Sequence, residues 1–265
     1  MVNKKIMGIL NLTPDSFYDG FRDETITSSI LKKKLCSLSS CDIIDVGCES
    51  SRPGSVPVSL KVEKLRLSKI IPMIKKNNKI TFSIDTYKYK IADYALKNGF
   101  KIINDIYAGR FDNNKMFDVA ADHSCPIVLM HMLGNPKDMQ KKIAYKSLID
   151  EIMFFFEERI LTAKKHGISD DKIILDPGIG FGKKIEDNFK ILSNIGKIKS
   201  LGYKVLIGLS RKKFLSFEND SPKQRLSSTI SMNQIALQNG ADIIRVHDPL
   251  DNLKMINVLK QYSNC

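Results

Sequence analysis

The sequence predicts an α/β protein folded as one closed (β/α)8 barrel, a TIM barrel, and three observations predict it. Short apolar runs alternate with amphipathic stretches, and the alternation occurs eight times. The apolar runs lack a polar face, as parallel strands covered on both sides require. The 265 residues, 43% of them hydrophobic, suit a single large core of this kind. Eight units in this length favour the closed barrel over an open doubly wound sheet. No Pro/Ser/Gly-rich linker divides the chain, so residues 1–265 read as one domain.

The elements follow in order. Ile6–Leu12 reads as a strand and Thr27–Leu38 as a helix. Asp42–Val46 is followed by helix Leu60–Lys76, and Lys79–Ile84 by Lys88–Asn98, which stops at Gly99. Phe100–Ile103 precedes helix Asn114–Asp122, and Pro126–Met130 precedes the long Lys146–His166, which stops at Gly167. Lys172–Leu175 and Ile185–Ser200 form the sixth unit, Lys204–Ile207 and Pro222–Asn239 the seventh, Asp242–Val246 and Leu250–Tyr262 the eighth.

The formal net charge of +13 has two readings. One is codon bias, since Lys, Asn and Ile are abundant and Arg is rare; the other is attraction of an anionic substrate. The Lys residues are scattered without interleaved aromatics, which argues against nucleic acid. Five cysteines without a C-x-x-C pair indicate neither a disulfide framework nor a zinc site, and suit a reducing cytoplasm. Met1 to Leu12 lacks the small-residue cleavage site of a signal peptide. No apolar run reaches the roughly 18 residues of a membrane span, so no membrane association is expected.

Polar residues cluster just after the strand runs: Asn11; Asp45 with Glu49 to Gly54; Asp85; Asn104-Asp105; His131; Asp176; Ser210-Arg211-Lys212; and Arg245 with His247-Asp248. One such residue is usually a turn or cap. Contributed by every unit, they gather at the rim where barrel enzymes hold their sites, with a cationic corner after the seventh and eighth strands that suits phosphate. Asp176-Pro177-Gly178-Ile179-Gly180-Phe181-Gly182-Lys183 fits neither the Walker nor the Rossmann spacing, and its glycines read as a tight turn admitting a flat ligand. His131 reads as a packed residue, and His123 and His166 as surface or cap residues. No metal-ligand spacing and no G-x-S-x-G setting appear, so covalent catalysis is not indicated.

At these residues the chain resembles dihydropteroate synthases. The resemblance rests on Gly8–Phe17, Asp45–Gly54, Ser83–Thr86, Ile103–Asp105, Leu129–Met132, Asp176–Gly182, Gly208–Lys212 and Arg245–Asp248, in that order. It implies that p-aminobenzoate displaces pyrophosphate from 6-hydroxymethyl-7,8-dihydropterin pyrophosphate to give 7,8-dihydropteroate, a step of folate biosynthesis. It implies a pterin site of Asp85, Asn104, Met130, Asp176 and Lys212. Pyrophosphate falls to Asn11, Arg245 and His247, with Mg²⁺ on Asn11. The p-aminobenzoate pocket falls to Phe17, Ser51, Arg52, Pro53, Phe181 and Ser210, partly on two loops that close over the site. Asp85, Lys212 and Arg52 are the implied catalytic residues, and a homodimer is implied. Three positions depart from the family: Ser51 for Thr, Cys48 for Gly, and a single Gly20 before Phe21. The alternatives are a pterin-dependent (methyltetrahydrofolate) methyltransferase domain and a non-catalytic pterin carrier; the Ser51–Gly54 loop and the Arg245/His247 corner favour a pyrophosphate substrate.

Overall fold

The computed structural model describes residues 4–13, 27–50, 54–77, 79–217 and 219–263. Eight strands close in sequence order into a barrel: β1 (Lys5–Asn11), β2 (Ile43–Gly47), β3 (Thr81–Asp85), β4 (Ile102–Asp105), β5 (Ile127–Met130), β6 (Ile173–Asp176), β7 (Lys204–Ile207) and β8 (Ile243–Val246). Every neighbouring pair is parallel. The surrounding helices are α1 (Ser28–Ser37), α2 (Leu60–Lys75), α3 (Tyr89–Leu96), α4 (Lys115–Asp122), α5 (Leu148–Lys165), α6 (Ile185–Ser193), α7 (Ile195–Lys199), α8 (Leu226–Gln238) and α9 (Pro249–Tyr262).

The outward face of each strand packs on these helices. Phe82 and Ile84 of β3 meet the cluster containing Leu67 and Ile70 of α2, Ile91 of α3 and Phe100. Inside the barrel lies a separate apolar layer of Met7, Ile43, Ile102, Val128, Ile174, Leu206 and Ile243. Side chains alternate along a strand, so the residues two positions on point into the same space. Those residues are Ile9, Asp45, Asn104, Met130, Asp176, Gly208 and Arg245. Period-two geometry therefore points the four polar side chains among them, Asp45, Asn104, Asp176 and Arg245, into the space above the apolar layer.

The structure corrects several boundaries. Asp85, Asn104 and Asp176, expected just past their apolar runs, lie within the strands, because the ladder continues to their level, whereas His131, Ser210 and His247 do follow theirs. β4 starts two residues later than the apolar run suggests. Gly99 turns the chain at φ +103°, the Phe100 N–H still donates to Ala95 in the preceding helix, and the Phe100 ring packs outward. The stretch expected as one helix over Ile185–Ser200 breaks at Asn194 (φ −113°), whose side chain donates back to the Lys190 carbonyl. The seventh-unit helix begins at Leu226 rather than Pro222, since 222–225 form turns.

Candidate active site

Strand register sets the geometry. Asn11 pairs with Gly47, Gly47 with Asp85, and Asp85 with Asn104, so three of the expected residues share one level around the mouth. Across the barrel, Met130 pairs with Asp176. A Cβ at position 47 would come 3.0 Å from Asn11 Oδ1 and 3.5 Å from Asp85 Oδ2, so glycine there lets the two side chains approach.

Arg245 rises from β8 into the centre. Its Nε donates to Asp45 Oδ2 at 2.7 Å and its Nη2 to Asp85 Oδ2 at 2.8 Å, leaving Nη1 outside both ion pairs. Asn104 Nδ2 donates to the same Asp45 oxygen at 2.9 Å. Burial works against the Arg245 charge, but Asp45 and Asp85 hold its pKa above the usual guanidinium value. Burial pushes the Asp85 carboxyl up, with Arg245 opposing and Asp45 adding. Arg245 thus spans three strands within the barrel. A second cation of the expected phosphate corner is also tied to a carboxylate. Arg211, in a left-handed conformation at φ +58°, is held by the Asp248 carboxylate through two bonds and is not a free cation. Ser210 and His247, expected on different substrates, are neighbours: the Ser210 hydroxyl lies 3.0 Å from His247 Nδ1 and accepts the His247 N–H.

On the opposite side, Asp176 is 7% exposed and its Oδ1 accepts the Gly178 N–H at 2.7 Å. Burial raises its pKa, while Gly178, Lys212 and Lys183 oppose the rise. Burial lowers the Lys212 ammonium to about 8, with Asp176 resisting and Arg245 adding. Lys212 Nζ donates to the Ile179 carbonyl and lies 4.7 Å from the Phe181 ring centroid. The glycine loop is tight, as expected: Gly178 and Gly182 have positive φ, and a Cβ would strike the His131 carbonyl at the first and Leu133 at the second. Met130 is buried with Tyr87, Ile106, Met132 and Met139, and Phe181 packs against that cluster. This apolar wall, facing carboxylates and a lysine, suits a flat heteroaromatic ligand edged with donors and acceptors.

His131 is buried as expected, and burial pushes its pKa down to about 2, so it stays neutral. His123 and His166 cap α4 and α5 and pair with Asp93 and Asp118. Asp105 closes its own turn by accepting the Tyr107 and Gly109 N–H groups. Cys48, a departure from the family pattern, is fully buried in the outer core instead of facing the site. Phe17, Ser51, Arg52, Pro53 and the Gly20-Phe21 departure lie outside the described residues.

Sequence reading gave no role to two groups. One is a half-buried network around Lys88, of which only Glu49 stood among the rim residues: Lys88 donates to Glu49 Oε2 at 2.5 Å, to the Val58 carbonyl at 2.6 Å and to Glu63, while Tyr87 donates to Glu49 Oε1 and the Val58 N–H to Glu49 Oε2. It fastens both stems of the β2–α2 connection against the turn after β3. The other is Lys183. Neither carries a sequence signal, because a lysine in a loop reads as solvated. Asp45 was in view among the rim residues, and two steps beyond the inward Ile43 it had to point inward.

The barrel with its carboxylate-edged, methionine-walled mouth defines the class. The pterin binding enzyme family matches residues 7–247 of this chain, which belongs to that family. Within it, the chain belongs to the dihydropteroate synthases, transferases of folate biosynthesis. It is 42% identical to the dihydropteroate synthase of Clostridium beijerinckii over 249 residues, covering 93% of this chain and 90% of that one. Among solved structures it resembles the Yersinia pestis dihydropteroate synthase in a sulfonamide drug complex, with a TM-score of 0.90, 32% identity, and coverage of 99% and 95%. It also resembles the Clostridium difficile dihydropteroate synthase determined in the presence of pteroic acid, with a TM-score of 0.88, 37% identity, and coverage of 97% and 95%. These relatives separate the chain from the methyltransferase alternative. No helix among the described residues is long and apolar enough to cross a membrane.

Proposed function

We propose that the barrel mouth carries out the synthase reaction with the following division of labour. Asp176 accepts the 2-amino and N3–H edge of the pterin; each carboxylate oxygen has two lone pairs, so Gly178 leaves it acceptor capacity. Asn104 and Asp85 meet other ring nitrogens, Met130 lies on the ring face, and Lys212 leaves the Ile179 carbonyl to donate to the ring carbonyl. Asn11, Arg245 Nη1 and His247 hold the pyrophosphate. Phe181 and Ser210 form the described part of the p-aminobenzoate pocket, completed by Phe17, Ser51, Arg52 and Pro53.

The aryl amine forms a C–N bond to the pterin methylene carbon as the C–O bond breaks. The pyrophosphate departs with the bonding pair, and the amine proton passes to solvent. The amine is neutral near pH 7, so no strong base is required. Arg245 stabilises charge developing on the leaving group. Asp85, beside the ring, offsets cationic character at the methylene carbon.

Asn11 Oδ1 is a hard oxygen donor at the mouth, and Asp45 Oδ1 is a buried acceptor without a partner among the described residues. No three His, Cys, Asp or Glu side chains among the described residues could hold a metal ion. This donor set fits Mg²⁺ shared with substrate phosphates and water, held by Asn11. When bound, the ion would neutralise leaving-group charge. We take residues 1–265 as one catalytic unit acting as a cytoplasmic homodimer.

The observation that carries this reading is the convergence of Asp85, Asn104, Asp176 and Lys212 beside the Met130 wall. Its test is pyrophosphate release on mixing protein, Mg²⁺, the pterin pyrophosphate and p-aminobenzoate, with Arg245→Ala alongside. Release dependent on both substrates and strongly reduced in the variant is expected; an unchanged pyrophosphate affinity in Arg245→Ala would show the phosphate site to be elsewhere.

A further inference from the structure

The glycine loop after β6 has no sheet or helix to receive its carbonyls. Four consecutive ones are each taken by a side chain: Ile179 O by Lys212, Gly180 O by Gln140 at 2.7 Å, Phe181 O by Lys183 at 3.0 Å and Gly182 O by Tyr145 at 2.7 Å. If Lys212 turns to the pterin, the other three must hold the loop. Gln140 is exposed and Tyr145 half-buried, whereas Lys183 is 4% exposed.

Lys183 is also the one that reaches beyond the loop. Its Nζ lies 3.0 Å from His131 Nδ1 and 3.3 Å from the His131 carbonyl, at the end of β5. A lysine ammonium has three protons, and here three acceptors surround it. Neutral His131 offers its Nδ1 lone pair, which requires the proton to sit on Nε2. The Phe181 backbone is thereby tied to the barrel wall, while its ring faces Lys212 and packs against the Met130 cluster.

We propose that Lys183 is a positioning residue for p-aminobenzoate, acting through Phe181: it fixes the loop so that the Phe181 ring stands beside Lys212 as a wall of that pocket. This rests on the assignment of Phe181 to the p-aminobenzoate pocket. Without Lys183 the Phe181 carbonyl is an unsatisfied acceptor, the loop turns it toward water, and the ring leaves its place.

The experiment is a double-mutant cycle read by steady-state kinetics with each substrate varied, using Lys183→Met, Phe181→Ala and the pair. Lys183→Met should raise KM for p-aminobenzoate by roughly tenfold, the factor 1.4 kcal/mol represents, and change KM for the pterin much less. The double variant should match Phe181→Ala alone, because Lys183 acts through that residue. If Phe181→Ala leaves KM for p-aminobenzoate unchanged, the pocket assignment fails and the inference with it. If Phe181→Ala raises it but Lys183→Met lowers only stability or kcat, or the two effects multiply, the inference alone fails. If Lys183→Met yields no folded protein, Lys183→Leu, which likewise removes the donor to the Phe181 carbonyl, carries the same cycle.

Discussion

The apolar layer of Met7, Ile43, Ile102, Val128, Ile174, Leu206 and Ile243 and the layer two residues further along the same strands share one backbone. The lower layer is held by volume. Each side chain touches several others, and no single one is indispensable. The upper layer, joined by Asp85 of β3, is held by valence: Arg245 donates to Asp45 and Asp85, and Asn104 donates to Asp45, so loss of one member takes a bond from each of its partners. The difference teaches where this barrel tolerates change. A volume can be refilled by neighbours, whereas a buried charge without its partner cannot.

The largest effect should come from Asp176. In Asp176→Ala the pterin loses two charge-assisted bonds, each about 1.5–3 kcal/mol, so pterin affinity should fall by more than about a hundredfold while circular dichroism shows the fold retained. Calorimetry finding affinity within a few-fold of the parent would remove Asp176 from the site. Next comes Asp45→Ala, which removes the acceptor of Arg245 Nε and of Asn104 Nδ2 and leaves the buried guanidinium with Asp85 alone. It should cost about 3–5 kcal/mol of stability, read from the denaturant midpoint; a cost under about 1 kcal/mol would mean the network holds nothing together.

Lys183 sharpens the contrast through pH. Burial pushes its pKa down to about 7, against an ordinary value of about 10.4 in the unfolded chain. Between these values the unfolded chain binds more protons, so stability rises with pH across that window. The parent should therefore gain stability from pH 7 to 9.5 relative to Lys183→Met, and equal slopes in both proteins would show that the folded lysine titrates normally. The smallest effect belongs to the lower layer. Ile174→Val should cost about 0.5–1.5 kcal/mol and leave both KM values unchanged; a shifted KM would show that volume there shapes the mouth above.

Much of this was legible in the sequence for a physical reason. Parallel strands buried on both faces must be apolar, and the segments between them must be amphipathic, so eight alternations spelled out the barrel. Asp85, Asn104 and Asp176 stood out because a polar residue at the end of such a run has no place in an apolar core. What sequence could not supply was register and direction. The two-residue shift of β4 followed from the turn at Gly99 and the outward packing of Phe100, neither visible in a run of apolar letters.

Local periodicity and composition suffice to specify the element order, the closed barrel and which residue types sit at its mouth. They do not specify that Arg245 bridges Asp45 and Asp85, that Arg211 is held by Asp248, or that Lys183 is buried against His131, all of which come from the folded chain. All four pairings join residues 37 to 200 positions apart along the chain. A charge's partner is set by where the closed barrel brings strands together and by how burial strengthens the attraction, and no local pattern records either.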